Sequence, residues 1–545
     1  MNMRKVLALC CMLGILLLSA CTPSKPQTDP TTTESTTTTT TQTDDSAWSD
    51  TDWSDDFSEP TDVDDNYGDD YGDDYDNNGD YDDEDNGPEY EEILPEGNPA
   101  QLLHPHKGGA DAEAEALRQQ ILNTKDNLTI TGTTYYVSPN GDDFNDGLTP
   151  ETAWQTCDNL TINNYLLEPG DAILFERGGI YRRTSPILVK SGVTYGAYGE
   201  GYKPLIYGSA RNYAWGADWE PSRKQYVWKI QMYSREGGIM VFNSGEAVGT
   251  PKYHGVNELQ ENGDFYHNVD EGTLYLYLDK GYPNVVYNSI EIGTRENIFT
   301  VSDETHDVTF DNLALRYAGL FTFDVKEYTE NLVFTNLEIG WVGGCRYSNS
   351  DVGLGNGVQW WQNTDTSLFE NCWVYQVYDA GVSPQGINTP HTYKDITIRG
   401  NLIEFCNYSI EVFDRHAESV WDGLIIEDNI LRFAGYGFLL SHERPDKSPA
   451  VGHFVGWTWN YNEIKNIVIK NNIFDCSAEN LVYWSGKDYD TGLTISGNSF
   501  YQKANRGNRA IHFGTHAAAF ATNQAELEAA VKTFDPNPKV VKWLS

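Results

Sequence analysis

Ile396-Thr397-Ile398-Arg399-Gly400-Asn401-Leu402-Ile403-Glu404-Phe405 is the phrase on which the fold turns. It returns as Leu424-Ile425-Ile426-Glu427-Asp428-Asn429, as Ile467-Val468-Ile469-Lys470-Asn471-Asn472 and as Leu493-Thr494-Ile495-Ser496-Gly497-Asn498. Upstream, Val308-Thr309-Phe310-Asp311-Asn312, Leu332-Val333-Phe334-Thr335-Asn336 and Ser367-Leu368-Phe369-Glu370-Asn371 carry a shorter form, with the asparagine one residue nearer the strand. Each unit alternates with the period of a strand that buries one face. Spacings run from 24 residues (Val308 to Leu332) to 43 (Leu424 to Ile467), and the shorter ones match one coil of a solenoid. Stacked coils bury the inward face continuously. Asparagine tolerates a left-handed corner, and its amide can bond to the asparagine of the next coil as a ladder. A sandwich would need Asn-Gly hairpin turns, which are sparse here. The repeats therefore predict an all-β chain wound as a parallel β-helix.

Working outward, two segments interrupt the repeat. Tyr213 to Ile292 is rich in Tyr, Trp and Val and carries hairpin signals around Tyr266 to Tyr277, so an inserted β-rich lobe is expected over about 213–292. Ser448 to Asn462 reads as a long loop holding Trp457 and Trp459. The open ends of a β-helix need covers. Ala110 to Lys125 reads as an amphipathic helix for one end, and a helix beginning at Gln524 serves the other. The expected division is 107–133 for the capping helix and lead-in, 134–516 for the β-helix and 517–545 for the C-terminal cap.

The first hundred residues are of another kind. Arg4 and Lys5 precede an apolar run from Val6 to Leu18, too short to span a bilayer and proportioned like a signal-peptide core. The run closes on Leu18-Ser19-Ala20-Cys21, which resembles the lipobox of bacterial lipoproteins. That resemblance implies a diacylglycerol on Cys21, with residues 1–21 forming the signal and anchor. From 22 to 106 the chain is threonine-rich, then crowded with Asp, Gly, Tyr and Asn. It lacks the apolar residues to offset chain entropy, so a disordered, self-repelling tether is expected. The predicted location is the outer face of a bacterial membrane, held by lipid alone.

The formal net charge is −44. Much of it lies between Asp44 and Glu96, but the globular part stays acidic, which argues against nucleic acid as a partner. Cys157, Cys345, Cys372, Cys406 and Cys476 form no CxxC pair, so they are expected to be buried thiols rather than zinc ligands or disulfides.

The opening of the globular part carries a resemblance. Tyr135-Tyr136-Val137-Ser138-Pro139-Asn140-Gly141-Asp142-Asp143-Phe144-Asn145-Asp146-Gly147, with Thr149-Pro150-Glu151-Thr152-Ala153-Trp154, resembles the start of secreted right-handed parallel β-helix proteins of the pectate-lyase-like superfamily. The resemblance implies a right-handed solenoid and an extracellular polysaccharide or oligosaccharide as partner. It does not choose among hydrolase, lyase and binder, because function rides on sites rather than folds.

Aligning coils at an offset of 28 residues nominates the chemistry. Asp379 then stacks on Asn407, Ser383 on Glu411 and Leu439, Asp414 on His442, and Arg415 on Glu443. Adjacent rungs lie about 4.8 Å apart. Retaining glycosidases hold two carboxylates about 5–5.5 Å apart and inverting ones about 6.5–9.5 Å apart, so neighbouring coils can present either pair. Glu411 lies between Ile410 and Val412; if those point inward, it points outward. The candidate catalytic residues are Glu411, Asp414, Glu443 and Asp379. The candidate sugar clamps are Arg415, His416, His442 and Arg444, and the stacking platforms are Trp360, Trp361, Trp457 and Trp459. Each has a plain alternative: an ion-paired strand face, a turn carboxylate at Asp379, tryptophans packed under loops. Glu404 reads as structural.

The best-supported expectation is a glycoside hydrolase with a carboxylate pair, needing no metal or cofactor. A lyase of the pectate type is second, and only that reading brings in calcium; lysines on the coils are few and no tight aspartate cluster stands beside one. The polygalacturonase pattern is incomplete, since Asn363-Thr364-Asp365 has no Asp-Asp pair following it in the coils. A non-catalytic surface adhesin or glycan binder is third. A monomer is expected.

Overall fold

The computed structural model describes residues 99–101, 105–216, 218–346, 353–387, 389–414, 416–438, 451–458, 463–485, 492–514 and 518–545, with the side chains of 457, 458 and 485 left aside. The chain winds as a right-handed parallel β-helix with three faces. Among the described residues twelve parallel strands make the first sheet: ten follow in the order Thr134–Val137, Ala172–Glu176, Thr194–Tyr198, His306–Asp311, Glu330–Thr335, Asp365–Glu370, Thr392–Arg399, Ile425–Glu427, Ile467–Lys470 and Leu493–Ser496, and Val420–Asp422 and Glu463–Lys465 extend it beside Thr392–Arg399. These are the repeat phrases themselves from His306 onward. In a typical coil, His306–Asp311 on the first sheet is followed by Ala314–Arg316 on the second and Phe323–Val325 on the third. Two long strands, Trp373–Gly386 and Leu402–Asp414, run through the corner between the second and third sheets and fuse them. Val308, Phe310, Phe334, Phe369, Ile398, Ile426 and Ile469 fill the interior as inward residues of the first sheet. Phenylalanines stack along it; Phe310 and Phe334 lie 5.2 Å apart at 14°.

The corner after the first sheet explains the asparagines. Asn312, Asn336, Asn371, Gly400, Asp428, Asn471 and Gly497 all take positive φ there, between +52° and +72°. The following residue turns inward, and the inward column reads Leu313, Leu337, Cys372, Asn401, Asn429, Asn472, Asn498. From Asn401 on, each side-chain amide donates to the next oxygen: Asn401 to Asn429 at 2.9 Å, Asn429 to Asn472 at 2.9 Å, Asn472 to Asn498 at 3.1 Å. The last, Asn498, donates to Asp535 at 2.8 Å. The one-residue shift in the motif is thus a change of role: the early asparagines hold the left-handed corner, and the later ones form a buried ladder behind it.

The lobe has its own core of Trp219, Ile230, Met240, Phe242, Phe265, Leu274, Leu276 and Ile292, and joins the solenoid between Leu205–Tyr207 and Phe299–Val301. At the C-terminal end the helix Gln524–Lys532 puts Leu527, Ala530 and Val531 into the solenoid core. The helix Asp111–Leu122 departs from expectation. It runs along the outer face of the second sheet rather than across an end: Asp111 meets Arg432, Arg118 meets Glu404 and Gln120 meets Asn371. Cys157, Leu160 and Leu167, around the short helix Asp158–Ile162, enter the solenoid core near the first coils instead. The tether boundary at 106 also moves, because buried Ala100 accepts a 2.7 Å bond from the Gln376 amide, so residues from Pro99 belong to the packed body. Among the described residues all five cysteines are free and buried.

Candidate active site

The third sheet presents the face with chemistry. Register alternates inward Val358, Val382, Ile410, Phe454, Val482 and Ile511 with an outward column of Gln359, Ser383, Glu411, Val455, Tyr483 and His512. One rung earlier, Asp324 pairs with Gln359. Glu411 therefore points out, as its flanking Ile410 and Val412 require. It is nonetheless only 6% exposed, and Asp324, Gln359 and Ser383 are buried beside it. An outward polar column shielded from water is unlike a solvated strand face, because buried polar groups must find partners. Ser383 Oγ donates to Glu411 Oε2 at 2.9 Å, and Gln385 Nε2 donates to Gln359 Oε1 at 2.6 Å. Asp324 accepts from Asn297 Nδ2 at 2.9 Å and pairs with Lys326 at 2.9 Å.

Two residues along, the same outward face carries Trp361, Gln385 and Phe413 in register, and the backbone of Trp457 pairs with Phe413 on the next rung. Trp361 and Phe413 are half-buried. On the other flank, Ala380 and Tyr408 pack with Val455, the next residue of the Glu411 column, against Tyr483, whose ring stacks on His512 at 4.8 Å. Glu411 thus stands between two aromatic margins, in the arrangement that suits a sugar: apolar faces for its C–H surface, amides, hydroxyls and a carboxylate for its hydroxyls. Phe413, Gln359, Gln385 and Tyr408 were not nominated from sequence, although Phe413 follows Glu411 by two residues and strand alternation alone puts them on one face.

Other nominated residues fall elsewhere. Trp360 does not form a platform: it alternates inward, is fully buried and packs edge-on to Phe334 and Phe369. Asp414 is also wholly enclosed. Its Oδ2 accepts from the Tyr393 hydroxyl at 3.0 Å and lies 3.1 Å from His391 Nδ1, while Oδ1 accepts from the His416 backbone N–H at 2.8 Å. Burial and the Asp414 carboxylate push the Tyr393 hydroxyl well above its ordinary pKa, so it serves as a fixed donor. Asp414 is therefore an anchor for the turn after the strand rather than a groove residue, and His416 belongs to that turn. Asp379 is half-buried, within the register irregularity between Val377 and Ala380.

The 28-residue offset carries Leu402 onto Ile430 on the second sheet, but on the third sheet it holds for one step only. Ser383 does pair in column with Glu411, but the next rung pairs Glu411 with Val455 and Asp414 with Thr458, an offset of 44. Chain has been inserted between Ile430–Arg432 on the second sheet and Gly452–Thr458 on the third. The stacking of Glu411 on Leu439, Asp414 on His442 and Arg415 on Glu443 is therefore overturned. Trp457 moves from the expected loop onto the strand. Arg415, His442, Glu443, Arg444 and Trp459 lie outside the described residues.

Glu404 is structural, as expected. It is fully buried on the second sheet, receives the Trp373 indole N–H at 3.0 Å and lies 3.5 Å from Arg118 and 3.7 Å from Arg432. Its column neighbour is Tyr375 rather than Gln376, because Gln376 takes the positive-φ corner. In strand register Asp324 and Glu411 are three rungs apart, about 14 Å at the usual spacing. That exceeds either glycosidase separation, so Asp324 is not the partner of Glu411.

No protein-family model and no curated protein matches the sequence. Among solved structures, the chain is similar to XylC in complex with xylose at 15% identity, over 71% of this chain and 73% of that one, with a TM-score of 0.38. It is similar to a GH136 lacto-N-biosidase from Eubacterium ramulus at 15% identity, over 76% and 67%, with a TM-score of 0.36. It is also similar to PfbA, a surface adhesin of Streptococcus pneumoniae, at 11% identity over 65% and 83%, with a TM-score of 0.27. At these values the likenesses carry no argument about the chemistry, which rests on the residues of the groove.

Proposed function

We propose that this protein is a carbohydrate-active enzyme that cleaves glycosidic bonds of an extracellular polysaccharide or oligosaccharide on the outer face of its third sheet. The observation that carries the reading is the shielded column Gln359–Ser383–Glu411, set between the aromatic column of Trp361 and Phe413 and the Tyr408–Tyr483 margin. In this reading Glu411 acts as nucleophile or base, oriented by the Ser383 hydroxyl, a donor that suits a carboxylate working in its ionised form. The second carboxylate is proposed to be Glu443 or Asp379. Incubating the protein with a polysaccharide panel, with and without a chelator, tests this: hydrolysis appears as new reducing ends, whereas absorbance near 235 nm would indicate a lyase.

A second reading has its own support. Among the described residues, the outward column itself holds no second carboxylate one or two rungs from Glu411, which favours a groove that binds glycan without cutting it. Retention on a polysaccharide without turnover would select that reading. The proposed setting is the outer membrane face, tethered through lipid on Cys21. Cys21→Ala should move the protein from the membrane fraction to the soluble one, and its remaining bound would defeat the anchor.

A further inference from the structure

The lobe carries a concave site of its own. Its larger sheet joins Glu220–Pro221, Val227–Gln231, Thr273–Tyr277, Asp264–Asn268 and Thr250–Pro251. Register sets Thr273 opposite Gln231, Tyr275 opposite Lys229 and Tyr266 opposite Tyr275. Ile230, Leu274, Leu276 and Phe265 of the same strands are buried in the lobe core, so alternation turns the polar residues and the tyrosines to the other face. There Tyr266 and Tyr275 lie nearly parallel, 6.2 Å apart at 17°. Beside them, Arg211, Asp218, Glu220, Lys229, Gln231 and Thr273 surround a cavity of about 400 Å³. Small-molecule sites occupy about 300–1,000 Å³.

The lining is balanced in charge. Arg211 Nη1 pairs with Asp218 Oδ2 at 2.7 Å, and Lys229 Nζ with Glu220 Oε2 at 3.0 Å, two cations against two carboxylates. Thr273 Oγ1 donates to Gln231 Oε1 at 3.1 Å, and Gln231 Nε2 donates to the Tyr233 hydroxyl at 3.4 Å. Tyr233 is 83% exposed. A ligand with net charge would meet one member of each pair as a repulsive neighbour. A hydroxyl both donates and accepts, so it can address a cation and a carboxylate together without separating them. The Tyr233 ring lies over Gly272 and keeps most of its surface exposed next to Gln231, so it offers the apolar face that a pyranose needs.

We propose that this cavity, with the tyrosine-bearing sheet beside it, is a second, non-catalytic binding site for a neutral saccharide chain. It stands on the lobe's own residues and does not depend on cleavage in the groove. Its role is to hold the polymer while the solenoid acts on it.

Electrophoresis of the full-length protein through gels cast with arabinoxylan, galactomannan or mixed-linkage glucan tests the proposal, with polygalacturonate as the charged comparison. The expected result is retardation by at least one neutral polymer and not by polygalacturonate. That retardation should weaken at least tenfold in apparent affinity when Gln231→Ala and Tyr233→Ala are combined, and persist in Glu411→Gln. Both lobe side chains are exposed, so the substitutions spare the lobe core. No retardation in any neutral gel, retardation indifferent to the lobe substitutions, its loss in Glu411→Gln, or equal binding of polygalacturonate would each overturn it. Turnover of the groove is read separately from new reducing ends, so failure of the lobe site and failure of the hydrolase reading are distinguishable.

Discussion

Asn429 shows how much one buried side chain does in this fold. Its oxygen accepts from both the backbone N–H and the amide of Asn401, at 3.0 and 2.9 Å, and its own amide serves Ile398 and Asn472. Asn429→Ala leaves Asn401 with two buried donors unmet, each costing about 1–3 kcal/mol. A lower urea midpoint with an unchanged slope is the expected outcome. His453 behaves differently. Complete burial pushes its pKa down to about 3, so the native state holds it neutral. The unfolded chain binds a proton there near the ordinary value of about 6.5. Stability from this group is therefore full above about 6.5 and falls as pH drops towards 3. Unfolding measured between pH 7 and 4 should show a shallower loss in His453→Gln than in the unsubstituted protein, by about one proton; an identical slope would place the pH dependence elsewhere.

At the scale of elements, the helix Asp111–Leu122 is a strap rather than a lid. It carries Arg118 onto Glu404, which also faces Arg432, and the N–H groups of Gly109 and Ala110 onto Asp475 at 2.7 and 3.2 Å. Removing one partner from a buried ion pair costs about 3–5 kcal/mol where no other compensates. Arg432 remains in Arg118→Met, so a smaller loss is expected, read as a drop in melting temperature. The repeat phrases were legible because alternation and the asparagine corner are local. The strap was not, because helical amphipathicity says that a face is covered but not by which surface. The stacking of Asp414 on His442 failed for a related reason: inserted chain between two strands changes register without leaving a mark on the strands themselves. Trp360 and Trp361 could be told apart only by register, which sets Trp360 on Pro384 in the inward column and Trp361 on Gln385 in the outward column that continues to Phe413.

For the whole molecule, the packed body starts by Pro99, where Ala100 is already buried. Deleting Thr31 to Glu96 should leave the melting temperature nearly unchanged, whereas extending the deletion through Leu122 removes the strap and uncovers the charged face of Glu404, Arg432 and Asp475. Equal melting temperatures for the two truncations would contradict the strap. The formal charge of −44 predicts weak binding of polyanions such as polygalacturonate, since like charges repel.

Whether Glu411 is catalytic, as proposed, is read most directly from reducing-end release by the unsubstituted protein and Glu411→Gln, side by side on a cleaved polysaccharide. The substitution keeps size and the acceptor for Ser383, so the unfolding midpoint should not move. Turnover should fall by several orders of magnitude. Turnover within about threefold of the unsubstituted protein would contradict a catalytic Glu411 and point to Trp361 and the coils before it.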